Sequence, residues 1–190
     1  MSHTINREAY QEFYRGLAAH GNQHLGGDFG RIQFALRHIR LGDTVLEMGC
    51  QDGGITRHIA AKAGSVYSVE INQDALDRAP KLANVRYVCG FAEDIEHVDV
   101  FDAVLIMELL EHVIDPFELL CAAHHATKPG GRLIVTVPEA GKYVDTLGEH
   151  VREYDVDMLF EEIAAVYGPA NVDVFPERGG TSLFGLAVKP

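Results

Sequence analysis

The sequence predicts an α/β fold built on a doubly wound, seven-stranded and mostly parallel sheet. From Thr44 onward, short apolar runs typical of buried strands alternate with helical patterns, which is characteristic of a sheet covered by helices on both faces. The last two predicted strands are joined by the six residues PERGGT, and this connection is too short for a crossover helix. We therefore expect the parallel strands to be followed by a terminal antiparallel hairpin.

The individual elements follow from the spacing of apolar residues and from turn signals. The seven predicted strands, in chain order, are TVLEMG, SVYSVEI, NVRYVCG, VFDAVLIME, RLIVTVP, NVDVFPE and SLFGLAVK. Helices are predicted for residues 7–19, 31–39, 53–63, 73–82, 115–127 and 155–167. Asp155 is placed to cap the last of these helices, and KPGG is predicted to be a turn.

The 190 residues suit one compact domain. Within it we expect two parts. Residues 1–43 would form N-terminal helices with a lid-like, glycine-rich segment, HGNQHLGGDFG. Residues 44–190 would form the core that carries the sheet.

The chain is acidic, with 16 Lys and Arg against 28 Asp and Glu and a net charge of −12. An acidic surface repels phosphate backbones and gains nothing from counterion release, which disfavours a nucleic-acid partner. Arg31, Arg37 and Arg40 form a modest basic cluster, which we interpret as one solvated helix face.

The three cysteines, Cys50, Cys89 and Cys121, are scattered and form no CxxC pair. Neither a disulfide framework nor a zinc ribbon fits this pattern, so we expect a reducing, cytoplasmic location. The first residues, MSHTINREAYQEFY, lack the pattern of a signal peptide. No apolar run approaches the roughly 18 residues of a membrane span.

The turn in TVLEMGCQDGG is the default ligand site, because it follows the first strand of a doubly wound sheet. A dinucleotide fingerprint needs a second glycine that lets the backbone approach a pyrophosphate, but this position holds Gln51. Glu47, two residues before Gly49, suits a cationic or amino-bearing group better than an anion. These residues favour a ligand without phosphate groups.

Glu70 ends the second predicted strand, 21 residues after Gly49. A carboxylate at this place can accept hydrogen bonds from both ribose hydroxyls. The predicted ligand is therefore a nucleoside that carries an amino group, and S-adenosylmethionine is such a molecule.

The chain resembles the class I S-adenosylmethionine-dependent methyltransferases over about residues 44–138. The matching segments are VLEMGCQDGG, VYSVEIN, GFAED, FDAVLIMELLEHV and KPGGRLIVTVP, in the family's order and spacing. The terminal hairpin also agrees with the family's seven-stranded sheet. The chain departs from the pattern at Gln51, where a glycine is frequent, and at Phe91, where an Asp often accepts the adenine amino group. That contact would then fall to Glu93 or Asp94.

The resemblance implies a role for each residue of the cofactor loop. Glu47 and Gly49 would hold the methionine moiety, while Gln51 would lie in the loop that Gly53 shapes. Glu70 would bind the ribose.

The resemblance also implies an adenine side and a sulfonium side. Ile71 would cover one face of the adenine, and Ala92 and Glu93 would lie along its edge. Met107 and Glu108 would lie below the sulfonium, at the end of the fourth strand.

The segment MELLEHVIDP is the expected place for the chemistry. Glu108, Glu111 and His112 are spaced i, i+3 and i+4, so they share one face if the segment forms a helical turn. His150 follows the fifth strand, and its loop should open onto the same crevice. His112 is the first candidate for a general base because imidazole titrates near neutral pH. His150, with Arg152 beside it, is the second, and Glu111 completes the catalytic set.

Two carboxylates and two imidazoles are also suitable ligands for a divalent ion such as Mg, Mn or Zn. Glu108, Glu111, His112 and His150 resemble the set of metal-assisted methyltransferases that act on catechols in quinone biosynthesis or on small RNAs. The same segment occurs widely in the superfamily with no implied metal. There, Glu108 and Glu111 would be cofactor-side or capping residues and His112 a base or packing residue.

The sequence thus predicts an enzyme that methylates an oxygen or nitrogen of a small-molecule or glycan-type acceptor. One alternative is an RNA or protein methyltransferase, which would be favoured if Arg15, Arg31, Arg37 and Arg40 lined the crevice. The other is a non-catalytic protein that binds S-adenosylmethionine, for which Gln51 is one argument. The short chain favours the small acceptor, since it leaves little material for a large recognition surface.

Overall fold

The computed structural model describes residues 28–142 and 150–190. Within them, seven strands form one sheet. The strands are β1 (Thr44–Met48), β2 (Ser65–Glu70), β3 (Val85–Cys89), β4 (Phe101–Met107), β5 (Thr127–Pro138), β6 (Val172–Pro176) and β7 (Ser182–Val188). The helices are α1 (Asp28–His38), α2 (Thr56–Ala60), α3 (Gln73–Arg78), α4 (Pro116–Ala126) and α5 (Val156–Tyr167). Each of the seven predicted strands is confirmed, six of them to within two residues at either end, whereas β5 begins at Thr127, five residues before the predicted start at Arg132.

The strand order is β3-β2-β1-β4-β5-β7-β6, and strands β1 to β5 pair in parallel. The chain moves outward from β1 to β3 on one side and then returns to place β4 on the other side of β1. In open α/β sheets, a ligand binds beyond the carboxyl ends of the strands at such a reversal of direction. The topology therefore places the crevice between the loops after β1 and β4.

The expected terminal hairpin is confirmed. Strand β7 pairs antiparallel with β6 and also antiparallel with β5, so it lies between them. The fold is the doubly wound, mostly parallel sheet that the sequence predicts.

The sheet separates two apolar cores. One face packs against α4 and α5 through side chains that include Leu119, Leu120 and Ile163. The other face packs against α1 and α2, where the Phe34 ring stacks on Phe184 of β7 at 4.4 Å between centroids. Both faces of the sheet are covered, as the near-continuous apolar strands require.

Two of the predicted helices are too long. Helix α2 begins at Thr56 rather than at Gly53, because Gly53 has φ of 75°, a left-handed conformation that no helix contains. Helix α3 ends at Arg78, since Pro80 pushes the preceding Ala79 into an extended conformation with ψ of 142°. The Asp155 cap is confirmed, because its carboxylate accepts a hydrogen bond from the Met158 amide at 2.8 Å.

The interpretation of Arg31, Arg37 and Arg40 as one solvated face is wrong for Arg31. Arg37 and Arg40 are exposed, but the Arg31 side chain is only 13% exposed and pairs with a carboxylate of the crevice, Glu108. The predicted KPGG turn is also wrong. These residues belong to β5. Thr127 of β5 pairs with Phe101 of β4, and after a shift in register Arg132 of β5 pairs with Ala103 of β4.

Some predictions fall outside the described residues. The helix at 7–19, Arg15 and most of the 1–43 segment belong to this group, so the division into 1–43 and 44–190 stays a prediction. Among the described residues, no helix combines the length and apolar character that crossing a bilayer requires.

Candidate active site

The cofactor loop after β1 keeps a glycine-like backbone without its second glycine. Gly49 and Gly53 have φ of 78° and 75°, and Gln51 between them has φ of 47°. A non-glycine residue adopts this left-handed region at a cost of roughly 1–2 kcal/mol. The backbone of the loop therefore turns as that of a glycine-rich loop would, even though position 51 carries a glutamine side chain.

Glu70 lies at the carboxyl end of β2 and reaches across to this loop. Its Oε2 accepts a hydrogen bond from the Gln51 amide at 2.9 Å, and its Oε1 accepts one from the Asn72 amide at 3.0 Å. Burial raises the pKa of the Glu70 carboxyl, while these hydrogen bonds oppose the increase. Each carboxylate oxygen has a further lone pair, so acceptor capacity for two ribose hydroxyls remains.

Glu47 lies beneath the same loop and is almost completely buried. Its Oε2 accepts hydrogen bonds from the Thr56 hydroxyl at 2.6 Å and the Ser68 hydroxyl at 2.9 Å. Burial raises the pKa of Glu47 to about 7, and the neighbouring Glu70 adds to this effect. The carboxyl group is therefore a fixed, buried negative charge only when a compensating positive group is close.

The adenine-side candidates follow the ends of β2 and β3. Ile71 is half-buried, Ala92 is buried and Glu93 is half-buried in a short 3-10 helix at Ala92–Asp94. The Gly90 amide donates to the Glu70 carbonyl at 3.0 Å, which holds this turn beside Glu70. The structure thus brings Ile71, Ala92 and Glu93 to the edge of the crevice where Glu70 lies.

Met107 and Glu108 lie at the end of β4, as expected, but the helical turn that would place Glu108, Glu111 and His112 on one face does not form. The described residues 108–115 form a bend and turns, and Glu108 itself has φ of 53°, which is incompatible with a helix. Met107 is buried in the α1–α2 core. Glu108 pairs with Arg31 at 2.8 Å, so helix α1 is tied to the floor of the crevice.

Glu111, His112 and His150 come together beyond the carboxyl end of β4, on the side of the crevice where we expect the acceptor. Each of them offers one atom that could bind a metal ion, a ring nitrogen or a carboxylate oxygen, and these three atoms lie within 4.8 Å of one another. The imidazoles of His112 and His150 meet edge to face, with 4.9 Å between centroids. His112 Nε2 is 3.8 Å from Glu111 Oε1. Of the four residues grouped from the sequence, the structure therefore places three in one cluster and pairs Glu108 with Arg31.

Glu111 is the most unusual member of this cluster. Only 1% of its surface is exposed, and its Oε2 has no hydrogen-bond partner among the described residues. Burial raises the pKa of the Glu111 carboxyl well above its usual range, Glu108 raises it further, and Arg31 opposes the increase. A buried carboxyl group in this state either retains a proton or binds a cation.

A groove opens beside the cluster. It is lined by Glu111, Pro138, Glu139, Ala140, His150, Arg152 and Glu153. Polar groups therefore line a small depression at the end of β5, directly beside the cluster.

The residues around the loop fit S-adenosylmethionine. The turn Gly49-Cys50-Gln51-Asp52-Gly53-Gly54 contains no Lys or Arg that would pair with a phosphate. The buried carboxylates beside this turn, Glu47 and Glu70, suit a sulfonium, an ammonium and a sugar. A Cβ atom at Gly49 would lie 3.1 Å from the Leu109 side chain, and Gly49 has φ of 78°, so a larger residue at this position would strain the backbone and crowd Leu109.

Sequence reasoning missed two residues of the site. The Arg31 contact with Glu108 joins segments that are far apart in the chain, and no spacing rule indicates it. Arg152 was placed beside His150 as a supporting residue, whereas the structure has it donating hydrogen bonds to the loop that follows His112.

The comparisons with known proteins agree with this geometry. The profile of a methyltransferase-domain family matches residues 46–135. A ubiquinone biosynthesis O-methyltransferase of Coxiella burnetii is 35% identical over 173 residues, which cover 82% of this chain and 71% of that protein. One from Chromobacterium violaceum is 30% identical over 168 residues, covering 83% and 72%.

The chain belongs to the class I S-adenosylmethionine-dependent methyltransferases. It spans about half the length of other curated relatives, such as the mitochondrial ubiquinone biosynthesis O-methyltransferase of Schizosaccharomyces pombe, which is 31% identical over 65% of this chain and 50% of that protein. Membership explains the loop after β1 as the cofactor loop of the family.

Solved structures show the same methyltransferase fold. A 1,6-didemethyltoxoflavin-N1-methyltransferase from Burkholderia thailandensis has a TM-score of 0.81 at 18% identity, covering 100% of this chain and 91% of that one. DhpI, solved with S-adenosylhomocysteine, has a TM-score of 0.76 at 21% identity, covering 100% and 98%. The [4+2]-cyclase SpnF also shares the fold, with a TM-score of 0.69 at 15% identity, covering 85% and 81%. The fold alone therefore does not identify the reaction, which depends on the residues of the site.

Proposed function

We propose that this methyltransferase moves the methyl group of S-adenosylmethionine to a hydroxyl oxygen of a small molecule, in a cytoplasmic setting. The cluster of Glu111, His112 and His150 beside the cofactor crevice carries this proposal, because a hydroxyl acceptor needs a group that removes its proton. The names of the relatives, which are O-methyltransferases, favour oxygen over nitrogen.

S-adenosylmethionine supplies a methyl group already activated by the positive sulfur. The chain's own contribution is then to position the two reactants and to take up one proton. Glu70 would orient the ribose, and Gly49 with Glu47 would orient the amino-acid end of the cofactor. On the acceptor side, His112 or His150 would accept the hydroxyl proton, and Glu111 would stabilise the imidazolium.

A divalent cation in the same cluster is the second candidate. The Oε2 of Glu111, for which the described part of the chain offers no hydrogen-bond partner, favours it. Glu111, His112 and His150 would hold the ion, which would lower the pKa of the acceptor hydroxyl. Two ligands of one ion, each at 2.0–2.2 Å, are about 3.4 Å apart in tetrahedral geometry and at most about 4.4 Å apart, so the present spread of up to 4.8 Å would have to close by roughly 1 Å. Glu108 would join them only by leaving Arg31.

The experiment combines product analysis with metal removal. The chain is incubated with S-adenosylmethionine and matched panels of catechols and amines, and the methylated product is identified by mass spectrometry. We expect turnover on the hydroxyl panel. Turnover confined to the amines would contradict O-methylation, and cofactor binding without any turnover would favour the non-catalytic alternative.

The metal is tested on the same active acceptor. Full turnover after EDTA treatment and desalting would rule out the ion and leave the histidine base. A loss that Mg, Mn or Zn restores would support the ion.

The RNA or protein alternative receives little support from the described residues. Of the arginines that would line a crevice for a polymer, Arg37 and Arg40 are exposed and Arg31 is paired with Glu108. An RNA oligonucleotide and an unfolded protein are therefore included with the acceptor panels, and neither is expected to accept a methyl group.

A further inference from the structure

We propose that Arg152 is a positioning residue that holds the loop carrying Glu111 and His112 against the segment carrying His150. This inference rests on the proposed function, because the relative position of the three side chains matters only if they act together on the acceptor.

The cluster is assembled from two separate pieces of chain. Glu111 and His112 lie between β4 and α4, whereas His150 lies ahead of α5. One backbone hydrogen bond joins the pieces directly, from the Val151 amide to the Glu111 carbonyl at 2.9 Å. A further contact between the two loops would restrict their relative orientation more strongly than this bond does by itself.

Arg152 supplies this contact. Its guanidinium donates hydrogen bonds from Nη2 to the carbonyls of Val113 and Ile114, at 2.9 and 2.8 Å. These are the two residues that directly follow His112. The planar guanidinium presents several donors in a fixed geometry, so it fixes the direction of the loop as well as its distance.

The guanidinium is itself held from the other side by helix α5. Arg152 Nη1 lies 3.4 Å from Glu162 Oε1, and Glu162 Oε2 accepts a hydrogen bond from the Tyr154 hydroxyl at 2.8 Å. Tyr154 is completely buried, and its carbonyl accepts a hydrogen bond from the Ala140 amide at 2.7 Å. The contact from the His112 loop therefore extends through Arg152 into the rigid core.

The side chain is partly buried, with 18% exposure against 23% for Glu162, so solvent screens this pair less than a surface pair. Arg152 also lines the acceptor groove next to Glu111 and His150. Its contacts nevertheless run to carbonyl groups and to Glu162, away from the three donor atoms, which is why a positioning role fits better than a role in proton transfer.

The test replaces Arg152 by Met, which keeps the length of the side chain and removes its donors. Arg37→Met is the matched control, because Arg37 is exposed on α1. We expect Arg152→Met to lower kcat about tenfold to a hundredfold, the size of effect that misplacement by about 1 Å produces. The KM for S-adenosylmethionine should stay within about twofold, and Arg152→Lys, which retains a donor, should recover part of kcat.

A second readout does not depend on turnover. The imidazole cross-peaks of His112 and His150 in a ¹H–¹³C NMR spectrum should both move in Arg152→Met and stay in place in Arg37→Met. If the wild type methylates no acceptor, the proposed function fails, and these cross-peaks still test the positioning role. The inference is overturned if Arg152→Met matches Arg37→Met in kcat and in both cross-peaks.

Glu162→Gln covers the case in which Arg152→Met does not fold. This variant leaves Arg152 in place and removes only the charge that holds it, so we expect the same changes at smaller size. A folded Glu162→Gln with wild-type kcat and cross-peaks, beside an unfolded Arg152→Met, would make Arg152 a residue of the fold alone and would overturn the inference.

Discussion

On the cofactor side of the crevice, Glu47 and Glu70 accept hydrogen bonds from hydroxyl and amide groups of the chain itself. On the acceptor side, Glu111 is just as deeply buried, but its Oε2 has no hydrogen-bond partner among the described residues. Both regions place carboxyl groups at the carboxyl ends of parallel strands. They differ in whether the protein itself provides hydrogen-bond partners for those carboxyl groups.

The difference indicates two ways of preparing a site. The cofactor side is preorganised, because its hydrogen bonds fix the carboxylates before any ligand arrives, and such a site costs little reorganisation on binding. The acceptor side is incomplete, because a buried polar atom without a partner is costly and a proton, a cation or an acceptor group would relieve that cost. Substitutions on the two sides should therefore have different consequences.

The largest effect is expected from Glu111→Gln, which removes the charge of the incomplete side. We expect kcat to fall at least about a hundredfold, because the imidazolium formed when His112 or His150 takes up the hydroxyl proton loses the carboxylate that stabilises it. The affinity for S-adenosylmethionine should stay within about twofold, since Glu111 lies outside the cofactor loop. Steady-state kinetics and calorimetry measure the two quantities.

Glu161→Gln is the control for this substitution, because Glu161 is exposed on α5. Glu111→Gln should also melt no lower than the wild type near neutral pH, because burial raises the pKa of Glu111 and so favours the uncharged form, which Gln resembles in size and polarity. Equal losses of kcat and of cofactor affinity would erase the distinction between the two sides.

The next effect is the pH dependence of stability caused by Glu47. The pKa of Glu47 is about 7 in the folded state, against 4.5 for an unperturbed Glu side chain in water. The folded state therefore binds the proton more tightly than the unfolded state does. This contribution to stability is fully present below pH 4.5 and is lost as the pH rises to 7, by an amount on the order of 2 kcal/mol. Glu47→Gln should therefore flatten the decrease in melting temperature between pH 5 and pH 7.

Glu70 and Glu111 also have raised pKa values, so a smaller decrease of the same sign should remain in the Glu47→Gln variant. Thermal melting at a series of pH values measures the slopes. A variant whose slope equals that of the wild type would show that Glu47 keeps an ordinary pKa and that its surroundings are wetter than the contacts with Thr56 and Ser68 imply.

The smallest effect is expected from Gln51→Gly, which restores the glycine of the family pattern. The backbone of Gln51 already has φ of 47°, so glycine relieves the left-handed strain but gains freedom in the unfolded state. These two terms oppose each other, and the free energy of unfolding should change by less than about 1 kcal/mol. Denaturant unfolding checks this, and a several-fold change in cofactor affinity would show that the Gln51 side chain contacts the cofactor.

The fold could be predicted because local pattern and topology agree in this chain. Buried strands, the Asp155 cap and the short PERGGT connection each specify structure over a few residues, and they also led to Glu70 at the end of β2. The site was harder to predict where it depends on contacts between distant segments. The Arg31–Glu108 pair joins α1 to β4, and Arg152 joins α5 to the His112 loop; neither has a local signal. The left-handed Glu108 backbone broke the helical spacing that had grouped it with Glu111 and His112.

The central claim is that the loop after β1 and Glu70 together bind S-adenosylmethionine. Isothermal titration of S-adenosylmethionine and S-adenosylhomocysteine into the wild type, Glu70→Gln and the exposed control Glu96→Gln tests it most directly. The account predicts one site in the wild type, unchanged affinity in Glu96→Gln and at least about tenfold weaker binding in Glu70→Gln, the loss expected when hydrogen bonds to a charged group are removed. Wild-type affinity in Glu70→Gln, or no binding of either compound to the wild type, would contradict it.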